Sequence, residues 1–405
     1  MTEKPTTGSR LISIDALRGA AALAVVFFHA THQARFLGSA STPYWLGWGS
    51  ATLISFGYVG VYLFFVISGF CIHLRWAKAR AAGRQPSIDF FAFWRRRIRR
   101  LYPPYLIAIC FYLLVLAIMG SLELTRFFWF DLSTHLLMLH NFNNKTAYGI
   151  NGVFWTLAIE EQLYLAYFLL IWLRVRFGWG WTLAVCLGAR LMWFALSFVL
   201  VRAFGIGLPV TEAALAQWFV WALGALSIEA ALGIVKLPRW CRDLRVGTLV
   251  LAFTATFAYL DRFWDPRGLA HEIWWLVVHP LWGLGFFIIV NRAAQAESAW
   301  RAAKGIPRYI AAFAGVGLFS YSLYLTHELI LIHVANYLST LYQWPRSTIL
   351  LFSLFVLSAV SVLFAWVYFW LFEKPFISWA QASSKTAPVL KEEPAPMLKE
   401  EQAQA

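Results

Sequence analysis

Long apolar stretches, separated by short polar ones, follow one another along almost the whole chain. A helix needs about 20 mostly apolar residues to cross a bilayer. Ten stretches approach this length, and we predict a membrane-spanning helix in each of them: 11–32, 51–74, 101–120, 151–173, 179–201, 209–228, 246–260, 271–291, 309–337 and 347–372. The apolar segment 127–142 is too short to span, so we expect it to re-enter the membrane or to lie at its surface.

The overall composition agrees with this pattern. Of the 405 residues, 60% are hydrophobic and only 13% are charged, which is about half the charged fraction of a typical soluble domain. These values exclude a disordered chain and disfavour a soluble globular enzyme. We therefore predict an all-α, polytopic integral membrane protein. The four cysteines show no C-x-x-C spacing, so we predict no metal site.

The basic residues indicate an orientation for these helices. The net charge is +14, and 34 residues are Lys or Arg. With both termini in the cytoplasm, 25 of the 34 fall in the termini and cytoplasmic loops and seven in the outer loops, as the positive-inside rule requires. We predict a short cytoplasmic N-terminus at 1–10, a transmembrane domain at 11–376 and a disordered cytoplasmic tail at 377–405.

Two ionisable residues lie within the first predicted helix. Arg18 and His29 are 11 positions apart, which places them about 20° apart around a helix and about 16 Å apart along it. Ionisable residues at membrane depth are costly, and both are therefore functional candidates. The structural alternative is that Arg18 extends to the inner surface and that His29 forms a hydrogen bond with a neighbouring helix.

Two adjacent carboxylates, Glu160 and Glu161, lie in the fourth predicted helix. A buried carboxylate needs a cationic or hydrogen-bonding partner, and His29 or an arginine would serve. Because neighbours on a helix point about 100° apart, both carboxylates cannot face one cavity squarely. A structural ion pair that joins two helices is the alternative to a catalytic role.

Arginines crowd the segment before the third predicted helix, which we expect to be a cytoplasmic loop. Five occur within six residues: Arg95, Arg96, Arg97, Arg99 and Arg100. This number exceeds what topology requires, and the guanidinium group matches phosphate geometry. We expect a cytosolic, phosphate-rich ligand, with an anionic lipid headgroup as the alternative. Nucleic acid is disfavoured because the patch is short and lies against the bilayer without a recognition fold.

Further polar residues in predicted helices are weaker candidates. Ser68 and Gly69 lie in the second helix, where small-residue packing is the alternative explanation. The others could each be a polar residue satisfied between helices: His140, Asn141, His279, His327 and Glu328.

Taken together, these motifs resemble those of the membrane acyltransferase-3 family, the bacterial O-acyltransferases of surface polysaccharides and related glycosides. The resemblance covers about residues 10–378, and six motifs carry it. They are Asp15, Leu17, Arg18, Gly19 and His29; Phe64, Phe65, Ser68, Gly69 and Phe70; Phe93, Arg96, Arg97, Arg100, Leu101, Pro103 and Tyr105; Trp155, Leu157, Glu160, Glu161, Tyr164 and Leu165; Ser320 to His327; and Glu373 to Pro375. Thr156 stands where the family usually has serine, which keeps the hydroxyl.

The resemblance implies an O-acetyltransferase in the bacterial cytoplasmic (inner) membrane. It implies that an acyl group, usually acetyl, passes from cytosolic acetyl-CoA to a hydroxyl of a glycan or glycoside at the outer face. The expected partners are therefore acyl-CoA, this acceptor and membrane lipid. The expected catalytic residues are Arg18, His29, Glu160 and Glu161. The expected acyl-CoA ligands are Arg18, Ser68, Arg96, Arg97 and Arg100.

Within this scheme, His29 acts as general base or as transient acyl carrier, both of which an imidazole can do. Glu160, or less readily Glu161, orients its ring. Two alternatives come from other functional classes: a transporter of glycan intermediates, and a non-catalytic assembly partner in polysaccharide export.

Overall fold

The structure, a computed structural model, describes residues 11–37, 54, 56–86, 88–260, 269–302 and 305–385. Within these residues all regular secondary structure is helical. The α-helices are α1 (Ile12–Leu37), α2 (Gly60–Ala81), α3 (Phe90–Ile118), α4 (Arg126–Leu136), α5 (Trp155–Phe204), α6 (Ala214–Ala231), α7 (Leu244–Leu260), α8 (Leu269–Ala302), α9 (Arg308–Leu318), α10 (Ser320–Glu328), α11 (Ala335–Tyr342), α12 (Arg346–Leu351), α13 (Ser358–Tyr368) and α14 (Lys374–Lys385).

Three π-helical turns join the last helices into longer rods. They are Leu329–Val334 between α10 and α11, Phe352–Leu357 between α12 and α13, and Phe369–Glu373 between α13 and α14. Shorter 3-10 turns occur at Gly57–Val59, His140–Phe142 and Arg239–Arg242. The segment predicted to be re-entrant or interfacial, 127–142, thus forms α4 and a 3-10 turn.

The described helices include seven that are long and apolar enough to cross a membrane, or eight if the bent pair α9 and α10–α11 counts as one span. That pair bends by 64°. The protein is therefore an all-helical polytopic membrane protein, as predicted. Helix α7 is apolar but shorter, in the place of the predicted seventh span. The total of ten spans and the cytoplasmic location of both termini stay predictions.

Helix α5 is two helices that meet end to end. Its 50 residues would extend about 75 Å at 1.5 Å per residue, more than twice the hydrocarbon thickness of about 30 Å. Gly178 interrupts it with φ 79° and ψ 177°, a backbone conformation essentially restricted to glycine. The break falls between the predicted fourth and fifth spans.

Two predicted boundaries differ from the structure. Helix α3 begins at Phe90, where the side chain of Asp89 accepts a hydrogen bond from the Ala92 amide at 3.0 Å. The loop conformation expected for 93–105 is therefore wrong, because an N-terminal cap starts the helix before the arginines. The boundary predicted at 376 lies within α14, which continues to Lys385, and residues 386–405 lie outside the described part.

Helices α2 and α6 approach each other closely at two glycines. A Cβ on Gly69 would lie 2.0 Å from the carbonyl oxygen of Trp221, and a Cβ on Gly224 would lie 1.8 Å from that of Val66. Both distances are far below van der Waals contact. Small residues let backbones meet in this way where lipid provides no hydrophobic drive for helix association.

The same arrangement joins α1 to α9 and positions the first helix. A Cβ on Gly19 would lie 2.0 Å from the carbonyl oxygen of Phe313, and a Cβ on Gly317 would lie 1.9 Å from that of Asp15. Since Gly19 follows Arg18 directly, this contact fixes the depth and rotation at which α1 presents Arg18.

A buried polar cluster ties α2, α5 and α6 together. The carboxylate of Glu229 accepts hydrogen bonds from His73 Nε2 at 3.0 Å, Arg174 Nη2 at 2.8 Å and Trp179 Nε1 at 2.8 Å. Arg174 and Trp179 flank the break at Gly178, so one carboxylate holds both halves of α5 where they meet. An ionised group away from water is tolerated only with such partners.

We expect Gly224→Ala to destabilise the protein by about 1–3 kcal/mol, the usual cost of overpacking a tight contact. The added methyl would overlap the Val66 carbonyl, so α2 and α6 would have to separate. Gly188→Ala is the matched control, because nothing lies within 4 Å of a Cβ at that helical position. Thermal unfolding in detergent measures both variants, and equal shifts in Tm would contradict the close-contact explanation.

Candidate functional site

A polar cavity lies within the helix bundle, between α1, α2, α3, α5, the end of α9, α10 and the turn before α14. Each of the six sequence motifs contributes to its wall. We call it the arginine cavity, and its polar lining is Arg18, Ser68, Cys71, Arg97, Arg100, Thr156, Glu160, Tyr164, Ser320, Tyr321, Tyr324 and Glu373.

Three arginines enter the cavity from two helices. Arg18 of α1 donates from Nη2 to the sulfur of Cys71 at 3.3 Å, and its Nη1 lies 3.6 Å from the carboxylate of Asp15. Arg97 of α3 lies over the ring of Tyr164, 5.7 Å from its centroid. The Nε of Arg100 is buried and has no hydrogen-bond partner among the described residues. The cavity thus offers guanidinium groups whose donors are only partly used.

Two carboxylates lie in the same cavity. Glu160 accepts a hydrogen bond from the Tyr164 hydroxyl at 2.9 Å. Glu373 accepts from the amide and the hydroxyl of Ser322, at 3.2 and 2.5 Å. The wall therefore carries both cations and anions, and their charges partly balance.

His29 lies outside this cavity, in a second cluster that we call the His29 centre: His29, Asn151, His327 and Glu328. The Nε2 of His29 lies 3.2 Å from Glu328 Oε1, and Asn151 donates to Glu328 Oε2 at 3.0 Å. The Nδ1 of His29 lies 2.9 Å from the carbonyl oxygen of Val25 and 3.3 Å from His327 Nε2. The centre therefore joins α1 to α10 and to the segment before α5.

The hydrogen bonds of the His29 centre restrict its protons. A backbone carbonyl only accepts, so the Nδ1 of His29 carries a proton for Val25. The Nδ1 of His327 likewise donates to the carbonyls of Leu323 and Tyr324, at 3.0 and 2.9 Å. The Nε2 of His29 is then the ring nitrogen left to exchange a proton with Glu328, whose Oε1 lies 3.2 Å away. This arrangement can accept and release one proton.

The prediction that Glu160 or Glu161 is the carboxylate partner of His29 is wrong. Glu160 bonds to Tyr164 in the arginine cavity, whereas Glu328 contacts His29. Glu161 accepts from the indole nitrogen of Trp94 and does not line the cavity. The reason is that α1 packs along α10, so the nearest acidic group to His29 comes from the other end of the sequence.

The predicted phosphate-binding arginines divide into two groups. Arg97 and Arg100 line the arginine cavity together with Arg18 and Ser68. Arg96 is half-buried outside it. Arg99 also points away and stacks over Trp379, 4.8 Å from the ring centroid. Helical geometry explains this division, because the two cavity arginines are three positions apart on one face of α3.

Sequence reasoning gave no role to several residues that the structure brings into the two clusters. Glu373 was visible only as part of the Glu-Lys-Pro motif, and Glu328 only as a polar residue in an apolar stretch. Asn151 and Cys71 carried no signal at all, since uncharged residues at helix ends and interfaces are common. Within the described residues, no group of three or more His, Cys, Asp or Glu side chains could hold a metal ion.

Comparisons with known proteins agree with the motifs. The family model described as an acyltransferase domain matches residues 11–370. The chain is 29% identical over 179 residues to the peptidoglycan O-acetyltransferase OatA of Listeria monocytogenes, covering 40% of this chain and 24% of the relative. It is 29% identical over 181 residues to the O-acetyltransferase OatA of Staphylococcus aureus, covering 42% of this chain and 26% of the relative.

A third relative is the putative peptidoglycan O-acetyltransferase YrhL of Bacillus subtilis, 30% identical over 162 residues, covering 38% of this chain and 22% of the relative. The match thus spans about a quarter of the length of these curated relatives. No solved structure matches the chain.

We expect Glu328→Ala to expose His29 to chemical modification. Loss of the carboxylate leaves Nε2 without its partner, so carbethoxylation of His29 by diethyl pyrocarbonate should become severalfold faster, as measured by peptide mass spectrometry. Glu160→Ala is the control and should leave the rate unchanged, because Glu160 bonds to Tyr164. The opposite pattern would assign Glu160 as the partner of His29.

Proposed function

Because the chain belongs to the acyltransferase family whose domain model it matches, we propose that it transfers an acyl group, acetyl in the first instance, from cytosolic acyl-CoA to a sugar hydroxyl at the outer face. The observation that carries this proposal is that all six motifs line one arginine cavity next to the His29 centre. We place the protein in the bacterial cytoplasmic membrane, where acyl-CoA and surface glycans meet on opposite sides.

The arginine cavity suits the donor. Arg97 and Arg100 present guanidinium groups, which bind phosphate oxygens in a forked geometry. The unpaired Nε–H of Arg100 is available for such a contact. Deeper in the cavity, the oxygens of Glu160 and Ser68 suit the amide N–H groups of a pantetheine arm. In this proposal Glu160 holds the donor instead of orienting His29.

The His29 centre suits the transfer. In a direct route, His29 Nε2 takes the proton of the acceptor hydroxyl, and Glu328 stabilises the imidazolium that forms. In a carrier route, the same nitrogen attacks the thioester and holds the acyl group before the acceptor arrives. Asn151 orients Glu328 in both routes, since it binds the second carboxylate oxygen.

We propose a sugar hydroxyl of a surface polysaccharide as the acceptor. Two of the relatives carry peptidoglycan in their names, so peptidoglycan fragments are the first acceptor to test. The acetyl group is proposed because the same names specify O-acetyl transfer.

We expect His29→Ala to lower acyl transfer at least about 100-fold, the lower end of what a general acid–base residue contributes. The assay uses the purified full chain in lipid nanodiscs, labelled acetyl-CoA and peptidoglycan fragments. His333→Ala is the matched control, because His333 lies on the turn after α10 and outside the His29 centre.

A single turnover without acceptor separates the two routes. Label retained on the wild-type protein and absent from His29→Ala supports the carrier route, and absence of label from both supports direct transfer. Wild-type transfer by His29→Ala would contradict the proposal. No acetyl turnover by the wild type would favour a transporter or an assembly partner.

We expect Arg97→Ala and Arg100→Ala to raise the KM for acetyl-CoA about tenfold or more, with a smaller effect on kcat. Each variant removes a charge-assisted hydrogen bond to phosphate, which contributes about 1.5–3 kcal/mol. Arg99→Ala is the matched control, since Arg99 stacks on Trp379 away from the cavity. Equal KM changes in all three variants would indicate a general loss of positive charge instead of a phosphate site.

A further inference from the structure

A pair of hydroxyl groups lies in the wall of the arginine cavity. Thr156 of α5 and Tyr324 of α10 both line the cavity. The Thr156 hydroxyl donates to the Tyr324 oxygen at 2.7 Å. The carbonyl oxygen of Val153 lies 3.0 Å from the Tyr324 hydroxyl and 3.1 Å from that of Thr156. One carbonyl thus has two possible hydroxyl donors.

These three contacts share only two protons, so the pair has two arrangements. In the first, Tyr324 donates to Val153 and Thr156 donates to Tyr324. In the second, Thr156 donates to Val153, and the Tyr324 proton is available for another acceptor. Hydroxyl protons rotate to suit their partners, and the Val153 carbonyl stays satisfied in both arrangements. The exchange therefore leaves no buried polar group unpaired.

Tyr324 lies close to the His29 centre, so its available hydroxyl proton can be donated to a group that reacts there. Tyr324 lies about one helical turn before His327 and Glu328 on α10. The ring centroids of Tyr324 and His327 are 5.8 Å apart, and those of His327 and His29 are 5.0 Å apart. Tyr324 lines the same cavity as Arg97 and Arg100, whereas His29 does not, so an arm that extends from these arginines meets Tyr324 within the cavity.

Resting on the proposed function, we propose that Tyr324 donates a hydrogen bond to the thioester carbonyl oxygen of the acyl donor and stabilises the oxyanion that forms there. The attacking oxygen or His29 nitrogen bonds to the carbonyl carbon, and the π electron pair moves to the carbonyl oxygen. When this pair returns, the C–S bond breaks. In the direct route, the CoA thiolate takes the proton that His29 received from the acceptor. In the carrier route, it takes the proton that Glu328 holds beside His29; the acceptor oxygen then bonds to the acyl carbon, the bond from this carbon to Nε2 breaks, and the acceptor proton returns to Glu328.

Thr156 acts in this scheme as a positioning residue. It binds the Val153 carbonyl when Tyr324 turns to the donor, so Tyr324 is released without leaving a buried carbonyl unsatisfied. Oxyanion donors fixed in a site away from water stabilise developing charge strongly. In this scheme the Tyr324 hydroxyl is the oxyanion donor for the thioester carbonyl.

We expect Tyr324→Phe to lower kcat about 100-fold, the usual effect of removing one oxyanion donor, and to change the KM for acetyl-CoA less than twofold. The assay follows release of the free CoA thiol from acetyl-CoA by the full chain in nanodiscs, with an N-acetylglucosamine oligosaccharide as acceptor. Tyr368→Phe is the matched control, because its buried hydroxyl also donates to a carbonyl, that of Pro104 at 2.5 Å, outside the cavity.

Thr156→Val separates catalysis from helix bridging. Both Thr156→Val and Tyr324→Phe break the bridge between α5 and α10, but only the second removes the proposed oxyanion donor. We expect Thr156→Val to lower kcat clearly less than Tyr324→Phe does, and both variants to show similar Tm values. Equal losses of kcat, or a kcat of Tyr324→Phe above half of the wild-type value, would overturn the inference.

Failure of the proposed function gives a different result. If the wild type releases no thiol that depends on His29, the proposed function fails and this inference fails with it. If the wild type does so and Tyr324→Phe matches it, only the role of Tyr324 is rejected.

Discussion

A charged side chain buried away from water is tolerated only where a partner is held beside it, and this constraint joins several helices of the protein. Glu229 joins α2, α6 and both halves of α5 through His73, Arg174 and Trp179. A buried charge of this kind thus favours the packing arrangement in which the helix that carries its partner lies beside it. The close glycine contacts then set how near these helices can come.

The same constraint separates the protein into two polar regions. The arginine cavity holds charges of both signs, and the His29 centre holds one imidazole–carboxylate pair together with the amide of Asn151. The uncharged hydroxyl groups of Thr156 and Tyr324, which are hydrogen-bonded to each other, lie between these two regions. In the proposed function, a region of this kind would let a neutral thioester approach the His29 centre while the phosphates stay with the arginines. The division of charge therefore corresponds to the division of the proposed donor into charged and neutral ends.

Hydropathy predicted most of the helices, because a spanning helix needs about 20 mostly apolar residues in a row, a property that the local sequence alone shows. Motifs also predicted that Arg18, Ser68, Arg97, Arg100 and Glu160 belong to one site. The choice of Glu328 over Glu160 as partner of His29 was not predictable in this way. The position of a residue along one helix can be derived from its spacing in the sequence. The residue that contacts it from another helix depends on how all the helices pack, so the sequence pattern did not identify Glu328.

The His29 centre joins positions that are 298 residues apart, His29 and His327. The ribosome therefore makes His29 long before it makes His327 and Glu328, because 298 residues separate the two histidines. A nascent or truncated protein has α1 in the bilayer but holds its histidine without a carboxylate. The chemistry proposed for this centre thus requires that every helix from α1 to α10 has been made and inserted first.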